Sequence, residues 1–411
     1  MKCKYYMTRS ICRTRNGINW SYGVRCQKIT MKYNINELKR KQKSGKKIAI
    51  FCAGQYGMIV FEILKICGLD VDNFFDNNSS KWSLHIENNI YCVNPNAIEN
   101  KDDYFIIICI RAAYYEEVRK EVSGMGFCNI IDYGNLLDSI VLNDRLHYFN
   151  LFKYCCKMPE IDLFYQPSIN DYSYTDKKSG NCTFDRIAVY TGIFDAYDNI
   201  ASASIVLSNV DYYLISDYKP STESIFEWID AKNIIPSAIV SPIKRNRYIK
   251  MHPHILFPDY KYSVYIDGNV SIKKDITSFI KKSNTGIAAF LHPKRDCIFY
   301  EALAAVSFRR VIAEDVYRQM DQYLKEGMPL HYGLTHMALI AREHHNPVCV
   351  KIMEAWWNEF SKGVLRDQLS FMYVLWKNGM SLKDISLLGK DIYEIDEVKI
   401  NKHCYESKYI R

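Results

Sequence analysis

Asp267 and Asn269 are the residues of this sequence whose types and spacing point most directly to chemistry. They close the apolar part of YSVYIDGNVSI, residues 262–272, a pattern typical of a buried strand. Because side chains alternate along an extended chain, both oxygen-bearing groups lie on one side of it. Two such ligands, completed by water and phosphate oxygens, suit Mg²⁺ or Mn²⁺. The segment therefore predicts a metal site at Asp267 and Asn269; the alternative is an ordinary Asp-Gly-Asn turn.

A second group of residues suited to ligand binding lies nearer the start of the chain. In KKIAIFCAGQYGMIVFEILKICG a short apolar strand is followed by Gly54 and Gly57, and then by apolar residues at helical spacing. Glycines there let backbone N–H groups approach an anion at the helix N-terminus. Asp76 comes about 20 residues later, where folds of this type hold a ribose hydroxyl. These residues predict a nucleotide site; the alternative is that the glycines only close a turn.

Strands and helices alternate around both groups of residues, which predicts an α/β fold throughout. The first part should form a Rossmann-like, doubly wound parallel sheet. It resembles the small Rossmann-like domains attached to bacterial sugar-modifying and polysaccharide-assembly enzymes, which implies an NAD-like nucleotide as its ligand. Strands are predicted in the first part at 48–52 and 104–110 and in the second at 187–190, 211–217, 262–267 and 285–293.

The composition is that of a folded chain of two domains. Of the 411 residues, 48% are apolar and 24% charged, a balance that excludes general disorder. The longest apolar runs fall far short of the ~20 residues of a membrane-spanning helix, so we expect a soluble, cytoplasmic protein. The 14 cysteines include no C-x-x-C pair, and many lie in apolar stretches. Reduced, structural thiols are therefore expected rather than a zinc or redox site.

The net charge of +8 is concentrated at the N-terminus. Residues 1–47 hold 14 Lys and Arg against the single acid Glu37, which leaves the rest of the chain at −5. We expect a solvated basic extension, with peripheral membrane contact left open and no nucleic-acid partner, because the body it serves is acidic. Met31 is a credible domain start, so whether residues 1–30 belong to the native protein also stays open.

Changes in these patterns suggest the domain boundaries. Turn-forming residues are dense in QPSINDYSYTDKKSGN, and regular patterning restarts after it. The expected organisation is a basic extension at 1–45, a nucleotide-binding domain at 46–140, a linker at 141–183, a second domain at 184–390 and a C-terminal tail at 391–411.

Four long segments of the second domain occur in a recognisable order. They are KMHPHILFPDYKYSVYIDGNVSI, FLHPKRDCIFYEA, EGMPLHYGLTHMALIAREHHN and MEAWWNEFSKGVLRDQLSFMYVLWK. They closely resemble the glycosyltransferase-like domain family of plant cell-wall and mucilage polysaccharide proteins and of bacterial surface-polysaccharide clusters. The resemblance covers Phe184 to Lys377. It implies a GT-A-type α/β fold, a D-x-D-like metal strand and transfer of a sugar from a nucleotide donor.

The resemblance also implies roles for single residues. The first strand would lie under the nucleoside, and the RDQLSF segment would meet the acceptor or the donor sugar. Each residue has a structural alternative, such as a solvated charge, a core histidine or, for Asp367, a helix cap. The implied donor-binding residues are Tyr190, Thr191, Gly192, Asp195, Asp217, Lys250, His254, His292 and Arg295, and the implied catalytic ones are Arg366, Asp367 and Gln368.

The function expected from these observations is metal-dependent sugar transfer from a nucleotide-sugar to a polysaccharide or glycolipid in bacterial surface-polysaccharide assembly. Asp367 would serve as the base if the reaction inverts the sugar, whereas retaining enzymes of this fold often lack an obvious nucleophile. A non-catalytic nucleotide-sugar-binding protein and a carboxylate-dependent hydrolase are the alternatives. The sequence does not specify the sugar, the acceptor or the oligomeric state.

Overall fold

The chain divides into two compact units, Met1–Leu151 and Phe152–Arg411. The computed structural model describes residues 8–14, 17–23, 34–110, 112–158, 186–199, 203–221, 224–281 and 283–403. In the first unit β1 (Thr8–Thr14) and β2 (Gly17–Gly23) form an antiparallel pair. Most of the predicted linker, 159–183, lies outside the described residues.

The first unit is built around a six-stranded sheet. Its strands are β3 (Lys47–Phe51), β4 (Asn73–Phe75), β5 (His85–Glu87), β6 (Ile90–Val93), β7 (Tyr104–Ile108) and β8 (Asn129–Asp132). Their order is β5-β6-β4-β3-β7-β8, and every neighbouring pair is parallel except β5 with β6. The predicted strands at 48–52 and 104–110 are confirmed. The helices are α1 (Ile35–Lys43), α2 (Gln55–Ile66), α3 (Ala112–Gly124), α4 (Tyr133–Asn143) and α5 (Arg145–Cys155).

The second unit is built around a seven-stranded sheet and a separate two-stranded one. The strands are β9 (Ile187–Ile193), β10 (Val210–Ser216), β11 (Glu227–Asp230), β12 (Tyr262–Ile266), β13 (Val270–Ile272), β14 (Ile287–Leu291), β15 (Thr335–Glu343), β16 (Ser386–Leu387) and β17 (Val398–Ile400). The large sheet has the order β11-β10-β9-β12-β15-β14-β16, and only β15 is antiparallel to its neighbours. The chain is thus an α/β protein with parallel-dominated sheets, as predicted.

Helices of the second unit connect and cover this sheet. They are α6 (Pro242–Met251), α7 (Pro253–Leu256), α8 (Ile298–Ser307), α9 (Ala313–Lys325), α10 (Pro347–Lys362) and α11 (Gln368–Lys377). Alternate residues of β9 enter different hydrophobic clusters, Ile187 and Val189 in one, Ala188 and Tyr190 in the other. Both faces of this strand are therefore buried, which is usual for parallel sheets.

Several segments expected to be irregular are ordered parts of a unit. Residues of the predicted extension form α1, whose Ile35 and Leu38 are buried. The described part of the predicted tail includes buried Ile392 and strand β17, which pairs antiparallel with β13. The second domain therefore continues past residue 390, because these residues complete its core.

No described helix combines the length and apolar character needed to cross a membrane. Six of the described cysteines are buried, as expected of structural thiols: Cys67, Cys92, Cys109, Cys155, Cys297 and Cys349.

Candidate active-site cleft at the carboxyl edge of the large sheet

A cleft of about 560 Å³ opens in the second unit where β9 and β12 end. Its other walls are one side of α6, the loop after α8, the start of β15, the residues that open α11 and the segment after β17. Ligands of open α/β sheets bind at the carboxyl ends of the strands. The cleft is therefore the candidate functional site of this unit.

The Asp-Gly-Asn segment is both a turn and part of the cleft wall. Asp267 follows β12, its backbone N–H donates to the Ala338 oxygen at 2.8 Å, and its own carbonyl accepts from Val270 at 2.9 Å. Asp267, Gly268 and Asn269 all line the cleft. A turn and a ligand-binding segment are thus compatible interpretations of Asp-Gly-Asn, because the turn presents its polar groups to the cavity.

Asn269 is oriented by Asn401, which directly follows β17. Its Nδ2 donates to the Asn401 carbonyl at 2.8 Å, and its own carbonyl accepts from the Asn401 backbone N–H at 2.9 Å and from Asn401 Nδ2 at 3.0 Å. The contact with the Asn401 carbonyl identifies Nδ2 as the donor, so Oδ1 is the atom of Asn269 available to a cation.

Asp198 and His403 form a second polar pair on the same wall. His403 Nδ1 lies 2.9 Å from Oδ2 of Asp198, whose residue is only 6% exposed. A Cβ on Gly268 would come within 3.7 Å of that carboxylate oxygen. Neither residue was predicted from the sequence, because the two are 205 positions apart and His403 was assigned to a tail. Asp195, which was implied as a donor-binding residue, is the nearest residue in the sequence that pointed to Asp198.

Asp367 is held by two cations from α6. Its Oδ2 is 2.7 Å from Lys250 Nζ and 3.0 Å from Arg247 Nε. Burial raises the pKa of Asp367, but Arg247 and Lys250 outweigh it and hold the pKa well below its ordinary value. Asp367 stands at the N-cap of α11 without making a side-chain cap hydrogen bond. The helix-cap alternative is therefore excluded for its carboxylate.

Lys250 connects this carboxylate to the Asp-Gly-Asn segment. The lysine is 1% exposed, and its Nζ also lies 3.5 Å from Asp267 Oδ1, which accepts from the Tyr265 hydroxyl at 2.9 Å. Arg247 and Lys250 are three residues apart on α6, so they share one face of the helix. Only Lys250 was predicted from the sequence. Arg247 could have been predicted as well, because it lies three residues before Lys250 on the same helix.

Arg366 and Gln368 also line the cleft, next to a buried carboxylate. Glu301 is 2.7 Å from Arg295 Nε and 3.2 Å from an Arg366 nitrogen, and Arg366 also donates to the Gln368 oxygen at 3.0 Å. Burial raises the pKa of Glu301, but Arg295, His292 and Arg366 lower it to about 2. Glu301 is thus a permanent anion that orients Arg366.

Several residues implied by the resemblance do not line the cleft. Tyr190 is buried, donates to the Ile249 carbonyl at 3.1 Å and accepts from Arg342 at 2.7 Å. His292 accepts from two backbone N–H groups of its own turn, and His254 lies 2.9 Å from Glu354. The other implied residues that do not line the cleft are Thr191, Asp195, Arg295 and Asp217. Asp217 pairs with Arg245 instead. Gly192 does line the cleft.

His336, Arg309 and Arg310 line the cleft without having been singled out from the sequence. Nδ1 of His336 is buried without a hydrogen-bond partner. Burial lowers the pKa of His336 to about 4, so its ring is neutral at physiological pH. His336 lies in β15, a strand that was not predicted from the sequence, although its segment is one of the four that carry the family resemblance.

In the first unit, two of the three predicted nucleotide-binding residues, Gly57 and Asp76, already contact other groups of the protein. A Cβ on Gly57 would lie 2.2 Å from the Cys52 carbonyl oxygen, so this glycine is required for packing. Asp76 accepts from the Ala53 N–H at 2.8 Å and from Lys81 Nζ at 2.7 Å. Gly54, the N-cap of α2, has nothing within 4 Å of its Cβ position and remains open to a ligand.

Part of the second unit is similar to known proteins. Residues 238–391 match the model of the TOD1/MUCI70 glycosyltransferase-like domain family. The chain is 26% identical over 216 residues to a probable hexosyltransferase MUCI70 of Arabidopsis thaliana; the match covers 46% of this chain and 37% of the relative. The chain therefore spans well under half of that relative's length.

A solved structure, the apo form of the bifunctional glycosyltransferase WbbM, aligns with 51% of this chain and 40% of its own at 15% identity. The TM-score is 0.32, which is too low to assign a shared fold.

Proposed function

We propose that the second unit is a hexosyltransferase that moves a sugar from a nucleotide-sugar donor to a glycan acceptor. The observation that carries the proposal is that the family match over 238–391 contains the metal-strand segment, both α6 cations and the Arg366–Gln368 segment, all of which line one cleft. The match and the geometry thus point to the same cavity. Action on a polysaccharide or glycolipid in bacterial surface-polysaccharide assembly, in the cytoplasm, completes the proposal and rests on the sequence resemblance.

The residues beside the metal strand fit a hard divalent cation as part of this proposal. Asp267 offers a carboxylate that is 30% exposed, and Asn269 offers an oxygen that its own hydrogen bonds leave open. No group of three His, Cys, Asp or Glu side chains among the described residues is arranged to hold a metal ion, so water and phosphate would supply the other ligands. Mn²⁺ or Mg²⁺ bound there would stabilise charge on the departing diphosphate.

The α6 cations of the cleft have a related role. A diphosphate beside Asp267 would lie near Lys250 and Arg247, whose positive charges are held by Asp367. Positive groups fixed in place before the reaction stabilise charge that develops on a leaving group. We assign Asp367 to positioning these cations, because a carboxylate with so low a pKa is a weak base at neutral pH. The stereochemical outcome is therefore not tied to Asp367.

For the first unit we propose a separate function, the binding of a nucleotide. An NAD-like nucleotide would approach the N-terminus of α2 at Gly54, where backbone N–H groups are available. Asp76 would have to release Lys81 to reach a ribose. This proposal stands apart from the transferase activity.

The test is to incubate the full chain with a panel of nucleotide-sugars and Mn²⁺, with and without glycan acceptors, and to quantify nucleoside diphosphate and free sugar. Acceptor-dependent release of diphosphate with a glycosylated product is expected. Release of free sugar at the same rate without acceptor would establish the hydrolase alternative. Binding of the donor without any turnover would reduce the protein to a binding module.

A further inference from the structure

The segment between α10 and α11, residues 363–367, carries Arg366 and Asp367 to the cleft. It belongs to neither helix, so contacts with the rest of the unit must hold it in place. Its backbone turns sharply, because the Arg366 N–H donates to the Val364 carbonyl, two residues earlier, at 2.7 Å. A three-residue turn of this kind is compact. The position of Arg366 therefore follows the position of Val364.

Gln319 of α9 holds this segment at Val364. Its Oε1 accepts from the Val364 backbone N–H at 2.7 Å, and the residue is only 9% exposed. Gly363 permits the close approach, since a Cβ at that position would lie 2.6 Å from the same oxygen. A backbone N–H bonded to a buried amide oxygen is constrained in both distance and direction. Gln319 thus fixes the segment that leads into the cleft.

Gln319 is itself oriented by a chain of hydrogen bonds. Its Nε2 donates to the Tyr323 hydroxyl at 2.8 Å, and that hydroxyl donates to Glu359 Oε1 at 2.8 Å. Burial, together with the charge of Glu359, raises the pKa of Tyr323, so the hydroxyl keeps its proton. Because a carboxylate can only accept, each bond of the chain has one direction. The Gln319 amide therefore faces Val364 with its oxygen.

We propose that Gln319 is a positioning residue for sugar transfer. Through Val364 it fixes Arg366 and Asp367, and Asp367 in turn holds the two α6 cations that the proposed function places beside the departing diphosphate. A displacement of about 1 Å at such groups can lower a rate about 100-fold. Gln319 does not line the cleft, so it acts through the segment. The inference rests on the proposed function, because it concerns the same reaction.

A structural explanation also exists for Gln319. Its hydrogen bonds join α9 to the end of α10, which by itself stabilises the packing of two helices. This explanation predicts that substitutions lower stability and that every variant still folded at the assay temperature transfers sugar at the wild-type rate. The positioning role predicts instead that the rate follows the Val364 contact and not the stability.

Two substitutions in the full chain separate these explanations. Gln319→Met is close in size and removes the acceptor for the Val364 N–H. Gln319→Glu keeps an acceptor oxygen at that position but buries a further carboxylate near Glu359, so it should also lower stability. The matched control is Gln322→Met, three residues further along α9, where the amide donates to Glu326 at the exposed surface at 3.0 Å.

Four quantities are measured for each protein: thermal unfolding, deuterium exchange at the Val364 amide, affinity for a nucleoside diphosphate chosen from a panel, and the rate of transfer. Gln319→Met should speed exchange at Val364 by about tenfold, because that amide loses its acceptor. It should lower kcat by about tenfold while nucleoside diphosphate affinity stays within about threefold, because the fixed charges act mainly in the transition state. Gln319→Glu should recover most of the lost rate despite its reduced stability, and Gln322→Met should match the wild type.

A folded Gln319→Met variant with the wild-type kcat would overturn the proposal, as would a Gln319→Glu variant as slow as Gln319→Met. Unchanged exchange at the Val364 amide in Gln319→Met would overturn it as well, because the segment would then be held by other contacts. Absence of transfer by the wild type would contradict the proposed function, while the exchange at Val364 would still decide whether Gln319 positions the segment.

Discussion

The carboxylate of Asp367 shows how partners decide the chemistry of a buried group. Replacing it by Asn leaves Lys250, which is 1% exposed, without its closest anion. Removing one partner of a buried ion pair costs about 3–5 kcal/mol. We expect Asp367→Asn to lower the free energy of unfolding by that amount in urea titrations. Asp315→Asn, which breaks an exposed pair with Arg318, should cost below about 0.5 kcal/mol. Equal losses in the two variants would contradict the buried-pair interpretation.

The pH dependence of this pair follows from the direction of its pKa shift. The pKa of Asp367 is lower in the folded chain than in the unfolded one, where it lies near 3.9. The ion pair therefore contributes its full stability above the unfolded pKa, and the contribution is lost as pH falls through the folded value. Between pH 5 and 8 no step in activity should arise from Asp367. An acid limb in that range that disappears in Asp367→Asn would show that this carboxylate titrates there.

Asn269 provides a residue-scale test that separates orientation from ligand charge. The sequence alone favours Asn269→Asp as a gain in metal affinity. In the structure its Nδ2 donates to the Asn401 carbonyl at 2.8 Å, so an ionised carboxylate there would face another oxygen. We expect Asn269→Asp to lose about 1–3 kcal/mol of stability at pH 7 and less at acidic pH, where a protonated carboxyl can donate. Wild-type stability of this variant at pH 7 would contradict the contact.

At the element scale, the short strand β17 supports one wall of the cleft. It pairs with β13 and brings Asn401 and His403 to Asn269 and Asp198. Val398→Asp would place a charge at a position that is 4% exposed, and we expect at least a tenfold loss of nucleoside diphosphate affinity. Lys399→Asp, on the exposed side of the same strand, should stay close to wild type. Calorimetric titration compares them, and equal affinities would remove β17 from the site.

The two glycines before and within α2 give a matched pair of substitutions in the first unit. A Cβ on Gly57 would overlap the Cys52 carbonyl oxygen at 2.2 Å, whereas one on Gly54 meets nothing. Gly57→Ala should therefore lower the thermal stability of the first unit, by about 2 kcal/mol or more if the backbone shifts only partly. Gly54→Ala should have little effect on stability, so it is the better probe of nucleotide binding. Comparable unfolding of both variants would contradict the packing role.

The sequence predicted individual strands and helices better than it predicted which of them pack together. Continuous apolar runs indicated β3, β7 and β12, because buried parallel strands carry such runs. Strand β17 was missed, since it has three residues and its partner β13 lies about 130 positions earlier. Asp198 and His403 were missed for the same reason. The fold brings these two residues together, and neither their residue types nor their spacing along the chain predicts that contact.

At the scale of the whole molecule, the central claim is that the cleft of the second unit transfers sugar from a nucleotide donor. The most direct measurement is acceptor-dependent release of nucleoside diphosphate by wild type and Asp267→Ala, with Mn²⁺ and with chelator. Asp267→Ala removes the carboxylate of the proposed metal site, which is 30% exposed, and we expect a loss on the order of 10²–10³ in rate, with a similar loss in chelator. Asp315→Ala should retain activity. Near-normal, metal-dependent transfer by Asp267→Ala, or wild-type activity unchanged by chelator, would contradict the account and leave Asp-Gly-Asn as a turn.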